Sequence, residues 1–362
     1  MFYNKENPIP LWRIKLHNLK ELIIRETSIR AYDFISKSLD TNDVNTLIVA
    51  TTTPFNVEMQ PRNTYKNIVN LKPVNDIRRI NKFFETINGK LEEGGFFICN
   101  AETYSLRKRR ILNKYPAGIN WIMYTIDFFV KRVSPKVWGF KKIYFFLTAG
   151  RNRVLSKAET LGRLYSCGFE VVSEDYFDSK LWVKVRKVKD PAFDYSPTYG
   201  PLIRLKREGK GGKLIKVYKA RTMHAYSEYL QEYIYQQNSL QEGGKFKDDF
   251  RITTIGRILR KFWLDELPML INLVRRDLKL VGVRPLSKHY LSLYPEEHRE
   301  RRKKYRPGLV PPFYADMPKE LEDIIASERR YMDAYDKNPI LTDLRYFRKA
   351  MYNILWKKAR SG

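Results

Sequence analysis

The chain has 362 residues, 43% hydrophobic and 14% aromatic, which is enough for two domains with sizeable cores and excludes wholesale disorder. Its 68 Lys and Arg against 40 Asp and Glu leave a net charge of +28, so the neighbour it calls for is polyanionic, either an anionic membrane surface or nucleic acid. Two cysteines, Cys99 and Cys167, both in apolar settings, exclude a disulfide framework and a cysteine-rich metal centre, and the four histidines have no metal-ligand spacing. MFYNKENPIPLWRIK is charged from its start and lacks the apolar core of a signal peptide. No run of about 18 uncharged apolar residues predicts a transmembrane helix.

A helical, polar segment opens the chain, and strands then alternate with helices. TLIVATTT (Thr46–Thr53) has the length of a buried strand, and Asn75–Leu91 places Ile77, Ile80, Phe83, Phe84 and Ile87 on one helical face. Gly94-Gly95 predicts a turn into a second buried strand, FFICNAET. Lys157–Cys167 reads as a helix stopping at Gly168, followed by the strands FEVVSEDYF and LWVKVRKV. The order suggests a doubly wound sheet. With its KLEEGG turn and GFEVV strand it resembles the second half of a class I methyltransferase, which implies a Rossmann-like sheet domain over residues 1–189. The glycine-rich loop and the ribose-holding acid of such domains are missing, so the expectation is a degenerate scaffold that does not bind S-adenosylmethionine.

An insert, Tyr104–Asn152, is longer than such a fold needs. Trp121, Ile122, Tyr124, Phe128, Phe129, Trp138 and Phe146 stand among Arg107, Lys108, Arg109, Arg110, Lys131, Arg132, Lys136, Lys141 and Lys142. Two readings stay open: an element lying among lipid headgroups, or two core helices whose lysines point outward. Asp190–Tyr199, rich in Pro, Asp and Tyr, is the natural linker, which makes residues 190–362 a second domain. It starts with two strands about Gly209–Lys213; Leu214 stands where a phosphate loop wants Ser or Thr, so a hairpin is favoured. A tyrosine-rich helix over Ala225–Gln237 and a glycine-containing loop over Glu242–Lys247 lead to the centre of the chain.

That centre is Arg251–Leu286, RITTIGRILRKFWLDELPMLINLVRRDLKLVGVRPL. An apolar helical pattern is broken by Asp265-Glu266 and then Pro268, which is comfortable only near a helix start, so a helix is expected from about Asp265 to Val274. Helix starts favour negative charge, whether from these carboxylates or from a bound phosphate. Arg257, Arg260 and Lys261 precede the pair, and Arg275, Arg276 and Arg284 follow it, a setting suited to a metal-bound anionic substrate.

RITTIGRILRK, LDELP, LINLVRRDLKLVG and RP, with YKARTM at Tyr218–Met223 and YRPGL at Tyr305–Leu309, resemble the signature of the bacterial sugar transferases, the monotopic phosphoglycosyl transferases. The resemblance implies a mixed α/β transferase domain that moves a sugar phosphate from a nucleotide sugar, with loss of UMP, to polyprenyl phosphate, with Mg²⁺, in exopolysaccharide, capsule or lipopolysaccharide assembly. By position it makes Asp265 the nucleophile and a metal ligand, and Glu266 its helper. Lys219, Arg221, Arg260 and Arg284 are implied to hold phosphate oxygens. It further implies a peripheral or monotopic protein on the cytoplasmic face of the inner membrane. The sequence departs from the family at three places: KVKDPAFDYSPTY replaces the hydrophobic re-entrant helix before Gly200-Pro201, Trp263 a small hydroxyl residue, and Val283 the first proline of PRP. A non-catalytic relative that kept the fold is the alternative, which the LDELP pair opposes; nucleic acid is not expected as a partner, because the basic residues cluster around acidic ones and no binding motif is recognisable.

Overall fold

The computed structural model describes residues 11–137, 139–193, 200–237, 240–241, 245–246 and 249–357. Trp138 of the insert, residues 194–199 of the expected linker, and 242–244 and 247 of the glycine-containing loop lie outside the described residues. The chain divides into two compact units: Met1–Tyr199 with Ala225–Tyr233, and Gly200–His224 with Ile234–Gly362.

The first unit is built on a five-stranded sheet. Its strands are β1 (Thr46–Val49), β2 (Tyr65–Asn70), β3 (Leu91–Ala101), β4 (Phe169–Phe177) and β5 (Lys180–Lys187), in the order β1-β2-β3-β5-β4. The first three run parallel, with Ile48 opposite Val69 and Ile68 opposite Phe97. β5 is antiparallel to both neighbours, Ile98 facing Lys184 and Val171 facing Val185. Parallel neighbours need a crossover, and between β2 and β3 it is helix Ile80–Lys90. Successive side chains of a strand point to opposite faces, so Phe97 and Ile98 bury on two sides of one sheet. Phe97 meets Phe84 and Phe169, each at 5.9 Å. Ile98 packs with Val69 and Trp182 against Ile23, Ala31 and Ile35 of the N-terminal helices Leu11–Glu26 and Ile29–Ser38. Layers on both faces explain why β3 reads as a continuous apolar run.

Several boundaries differ from the sequence reading. The strand expected over Thr46–Thr53 ends at Val49 and is half-buried at the sheet edge rather than buried. The helix expected over Ala225–Gln237 is a 3₁₀ turn, Ser227–Leu230, followed by an α-helix, Gln231–Gln237. The helix expected from Asn75 starts at Ile80, because Asn75 is occupied elsewhere: its Nδ2 donates to the Glu102 and Arg153 carbonyls at 2.8 and 2.7 Å, and its Oδ1 accepts from the Glu102 amide at 2.7 Å. Gly94-Gly95 is not a turn before the strand; β3 starts at Leu91 and runs through it. Leu91 pairs with Tyr65 and Phe96 with Asn67, so the strand bulges there, with Gly94 at φ +77°.

The insert forms helices Tyr104–Lys114, Ile119–Phe128 and Phe140–Thr148, with a π turn at Phe129–Val133. The first two are clamped by buried Arg107, which holds both Asp127 oxygens at 2.7 Å and Glu102 at 3.0 Å. Tyr144 is core, but Trp121, Ile122, Ile126, Phe129, Phe140 and Phe146 are exposed, so these six do not behave as core side chains.

The second unit begins with hairpin β6 (Leu202–Glu208) and β7 (Leu214–Ala220), in register from Leu202–Ala220 to Glu208–Leu214. Strands β8 (Lys279–Val281) and β9 (Gly308–Val310) pair parallel. Helices Pro312–Asp316, Leu321–Lys337 and Pro339–Leu355 close the core, where Val281, Leu309, Tyr314, Tyr331, Met332 and Ile354 are buried. The fully buried Tyr331 hydroxyl donates to the Asp343 carboxylate at 2.7 Å and lies 3.2 Å from the Val281 carbonyl.

Candidate active site

RITTIGRILRK forms helix Thr254–Lys261, capped by the Thr253 hydroxyl, which accepts from the Gly256 amide at 2.8 Å. The helix starts against the end of YKARTM: the Thr253 amide donates to the Thr222 carbonyl at 2.9 Å, and a Cβ on Gly256 would stand 2.0 Å from that oxygen. Only glycine permits the approach. One helical turn on, Arg260 Nε donates to Thr222 Oγ1 at 3.0 Å.

The expected helix from Asp265 to Val274 is two pieces, a 3₁₀ segment Leu264–Met269 and an α-helix Leu270–Val274. Pro268 lies inside the first piece, where its missing N–H and its ring disfavour an α-helical continuation. A 3₁₀ helix has three residues per turn, so side chains three apart eclipse and form three ridges. Glu266 and Met269 form the inward ridge, which Asn272 continues; all three are buried. Leu264, Leu267 and Leu270 form an exposed ridge at 40–50% accessibility. Asp265 lies between them, half-buried.

This geometry separates the two carboxylates. Glu266 turns inward and accepts from Lys219 Nζ of β7 at 2.7 Å. Asp265 is near enough to Arg260 for its charge to act there: burial lowers the pKa of that guanidinium, and the charges of Asp265 and Asp249 act against the lowering. Asn272, fully buried, fixes the register between helix and strand: its Oδ1 accepts from the Tyr218 amide at 3.0 Å, while its Nδ2 donates to the Lys216 carbonyl at 2.8 Å and to Asp277 at 3.2 Å. Lys219 is therefore set over Glu266 by backbone. Trp263, at φ +61°, donates from Nε1 to the Tyr314 hydroxyl at 3.0 Å and packs edge-on against that ring.

Lys219 and Glu266 line a cavity of about 920 Å³ together with Arg207, Arg284, Lys319 and Tyr290. Burial pushes the Arg207 guanidinium below its ordinary pKa, and the like charge of Arg284 pushes the same way, as expected of two cations facing a space meant for an anion. The Arg284 carbonyl accepts from Arg302 at 2.5 Å. Arg302 is buried with Glu328 and His298; burial alone would raise the Glu328 carboxyl, but Arg302 and His298 outweigh it and hold it below the usual range.

Of the residues expected from the sequence, Lys219, Glu266 and Arg284 come together in the cavity wall; Asp265 adjoins it in sequence without lining it, and Arg260, on the preceding helix, does not line it. Arg221 points elsewhere, donating from Nε to the Gly200 carbonyl at 2.9 Å. Sequence reasoning missed Arg207 and Asn272. Asn272 had a signal, a lone amide in the apolar LINLV, which requires buried partners. Arg207 had none. Among the described residues no group of three or more His, Cys, Asp and Glu is placed to hold a metal ion. Mg²⁺ asks less, since it is held through one or two carboxylates with phosphate and water completing its shell, and half-buried Asp265 fits that requirement.

Residues 195–357 match the family model of the bacterial sugar transferases. Similar proteins include an uncharacterized sugar transferase, EpsL, of Bacillus subtilis, 39% identical over 29% of this chain and 45% of its own. Undecaprenyl-phosphate galactose phosphotransferase of Salmonella typhimurium is 35% identical over 32% of this chain and 24% of its own. UDP-glucose:undecaprenyl-phosphate glucose-1-phosphate transferase of Caulobacter vibrioides is 36% identical over 31% and 39%. The chain thus spans less than half the length of each of these relatives. A solved S-adenosylmethionine-dependent methyltransferase from Mesorhizobium loti aligns over 36% of this chain and 66% of its own at 13% identity, with a TM-score of 0.23, too low to carry an argument. The part of the chain over residues 195–357, with its LDELP turn and its hairpin lysine, is a bacterial sugar transferase domain.

Proposed function

We propose that this protein transfers a sugar 1-phosphate from a nucleoside diphosphate sugar to polyprenyl phosphate, the step that starts a lipid-linked glycan. The observation that carries the reading is the Lys219–Glu266 pair, which with Arg207 and Arg284 faces one cavity a single residue from Asp265. The Asp265 carboxylate attacks the phosphorus bonded to the sugar, the bond from that phosphorus to the nucleoside monophosphate breaks, and the nucleotide leaves. An oxygen of the polyprenyl phosphate then attacks the same phosphorus and releases Asp265. Two anions approach only if their repulsion is cancelled, and Arg207, Lys219 and Arg284 supply fixed positive charge for this. Glu266 keeps Lys219 in place by accepting a hydrogen bond from its ammonium. Mg²⁺, when bound at Asp265, would neutralise pyrophosphate charge and make the nucleotide a better leaving group.

The lipid acceptor asks for a site at headgroup height. Supporting this, Ile255, Ile258, Phe262, Leu264, Leu267 and Val274 are 40–86% exposed within twenty residues around Asp265. Arg257, Lys261 and Arg275 stand exposed among them. An apolar face edged by cations suits an anionic bilayer surface, on the cytoplasmic side where nucleotide sugars are found. No helix among the described residues is long and apolar enough to cross a membrane.

The test is nucleoside monophosphate release from a panel of UDP-sugars with polyprenyl phosphate in detergent, with mass spectrometry for a phosphosugar on Asp265. Asp265→Asn, nearly isosteric, should abolish release with the fold intact. Full activity in that variant would remove the mechanism.

A further inference from the structure

The first unit holds a second cavity, of about 680 Å³, whose described lining carries eight Arg or Lys side chains against two carboxylates, Glu85 and Glu159. All its walls belong to that unit, and the transfer reaction makes no use of it. From this lining we infer that the cavity binds a small molecule carrying two or more phosphates, with nucleoside polyphosphates as the ligand class.

The position follows from the fold. In open sheets with parallel strands, ligands sit beyond the carboxyl ends of those strands. Here the segment after β2 supplies Arg78 and Arg79, and the chain after β3 supplies Arg132, Arg153, Val154 and Leu155. Helix Ile80–Lys90 presents its first residues, Ile80, Asn81 and Lys82, to the cavity, and no acidic side chain occupies that first turn. The free amides of an eleven-residue helix thus add to the cations around them.

The lining is built to hold its charge. Buried Glu159 accepts from Arg132 at 2.7 Å and from Arg163 at 3.0 Å, so a single carboxylate orients two guanidiniums that are themselves 8% and 5% exposed. Arg163 also stacks over Tyr226 at 4.5 Å. Phe145 from the insert has Arg78 and Arg153 against its ring, each at 5.6 Å. Guanidiniums held on aromatic faces are pre-oriented donors for phosphate oxygens, and Phe193, 47% exposed, offers a ring on which a base can stack. The insert thereby gains a role as a cavity wall. The same lining disfavours S-adenosylmethionine, whose sulfonium is a cation.

Calorimetry on the full chain tests this with pyrophosphate, ATP, inorganic phosphate, S-adenosylmethionine, and vesicles containing phosphatidylglycerol. Pyrophosphate and ATP should bind saturably, more tightly than inorganic phosphate and less tightly at high salt. Arg79→Ser and Lys141→Ser, both at exposed positions, should each weaken them about tenfold with unchanged circular dichroism, and Arg79→Lys should recover part of the loss. Arg284→Ser, in the other unit, should leave this binding intact. The proposal falls if no saturable binding occurs at millimolar concentrations, or if inorganic phosphate binds as tightly as pyrophosphate. It also falls if Arg284→Ser abolishes the binding while the first-unit variants spare it, or if those variants lose vesicle binding alone.

Discussion

Replacing Lys219 by Met removes the cation from a carboxylate that has little access to water. The Glu266 side chain is 7% exposed and that of Lys219 23%, with 2.7 Å between the charges. Breaking a buried pair from one side costs about 3–5 kcal/mol; because Lys219 retains some solvent, about 2–3 kcal/mol is expected here. For a domain of this size each kcal/mol shifts the midpoint by about 2–4 °C, so the transition of the second unit should drop by roughly 4–12 °C. Removing both charges is different: Lys219→Met with Glu266→Met leaves no orphaned carboxylate and should regain most of the lost stability, without regaining transfer. Differential scanning calorimetry on the full chain, with hydrogen exchange over Leu214–Ala220 to identify the transition, reads both variants. If Lys219→Met melts within a degree of wild type, or the double variant is as unstable as the sum of its parts, the pair is not the buried coupling described above.

Asn272→Leu would orphan the Lys216 carbonyl and the Tyr218 amide, and an expected loss of about 2–4 kcal/mol should appear in urea unfolding together with reduced transfer, as Lys219 is no longer set against Glu266. Asp316 is pushed up by burial but held below the ordinary 3.8 by Ser327, Lys349 and Arg330; its contribution is therefore complete above that value and lost as pH falls through the lower folded one. Asp316→Asn should remove this part of the acid sensitivity, seen as a flatter stability profile below pH 4 than wild type. In liposome flotation, serine at Ile255, Ile258, Leu267 and Val274 should reduce binding to anionic vesicles, and serine at Trp121, Phe128 and Phe129 tests the insert separately; if neither set lowers flotation, neither face meets lipid.

The sequence carried what depends on local pattern. Strands β4 and β5, the β6–β7 hairpin about Gly209–Lys213 and the helix ending before Gly168 follow from alternation and glycine placement, and they stand where expected. Asp265 and Glu266 could be singled out as a pair. Their separation could not, because it depends on the helix being 3₁₀ at Pro268, where ridges repeat every three residues rather than 3.6. The apolar period of Ile255, Leu267, Leu270 and Val274 was visible as well; that it faces outward was not, since periodicity locates a stripe without saying what covers it. Partnerships across the chain were the least legible. Lys219 and Glu266 are 47 residues apart, and Arg302 meets Glu328 across 26, distances at which spacing carries no information on pairing.

The bond from Trp263 to Tyr314 has a consequence in time. It spans 51 residues, and the helices that cover Tyr314 come later still. At synthesis rates of about 5–20 residues per second, Trp263 is made roughly 3–10 s before its tyrosine. Until then Trp263 has neither its hydrogen-bond acceptor nor the ring beside it to hold a backbone conformation that a bulky residue disfavours. The turn before Asp265 is therefore among the last parts of the second unit to settle, and a nascent chain stalled short of residue 314 would display LDELP after a Trp263 that nothing yet holds in place.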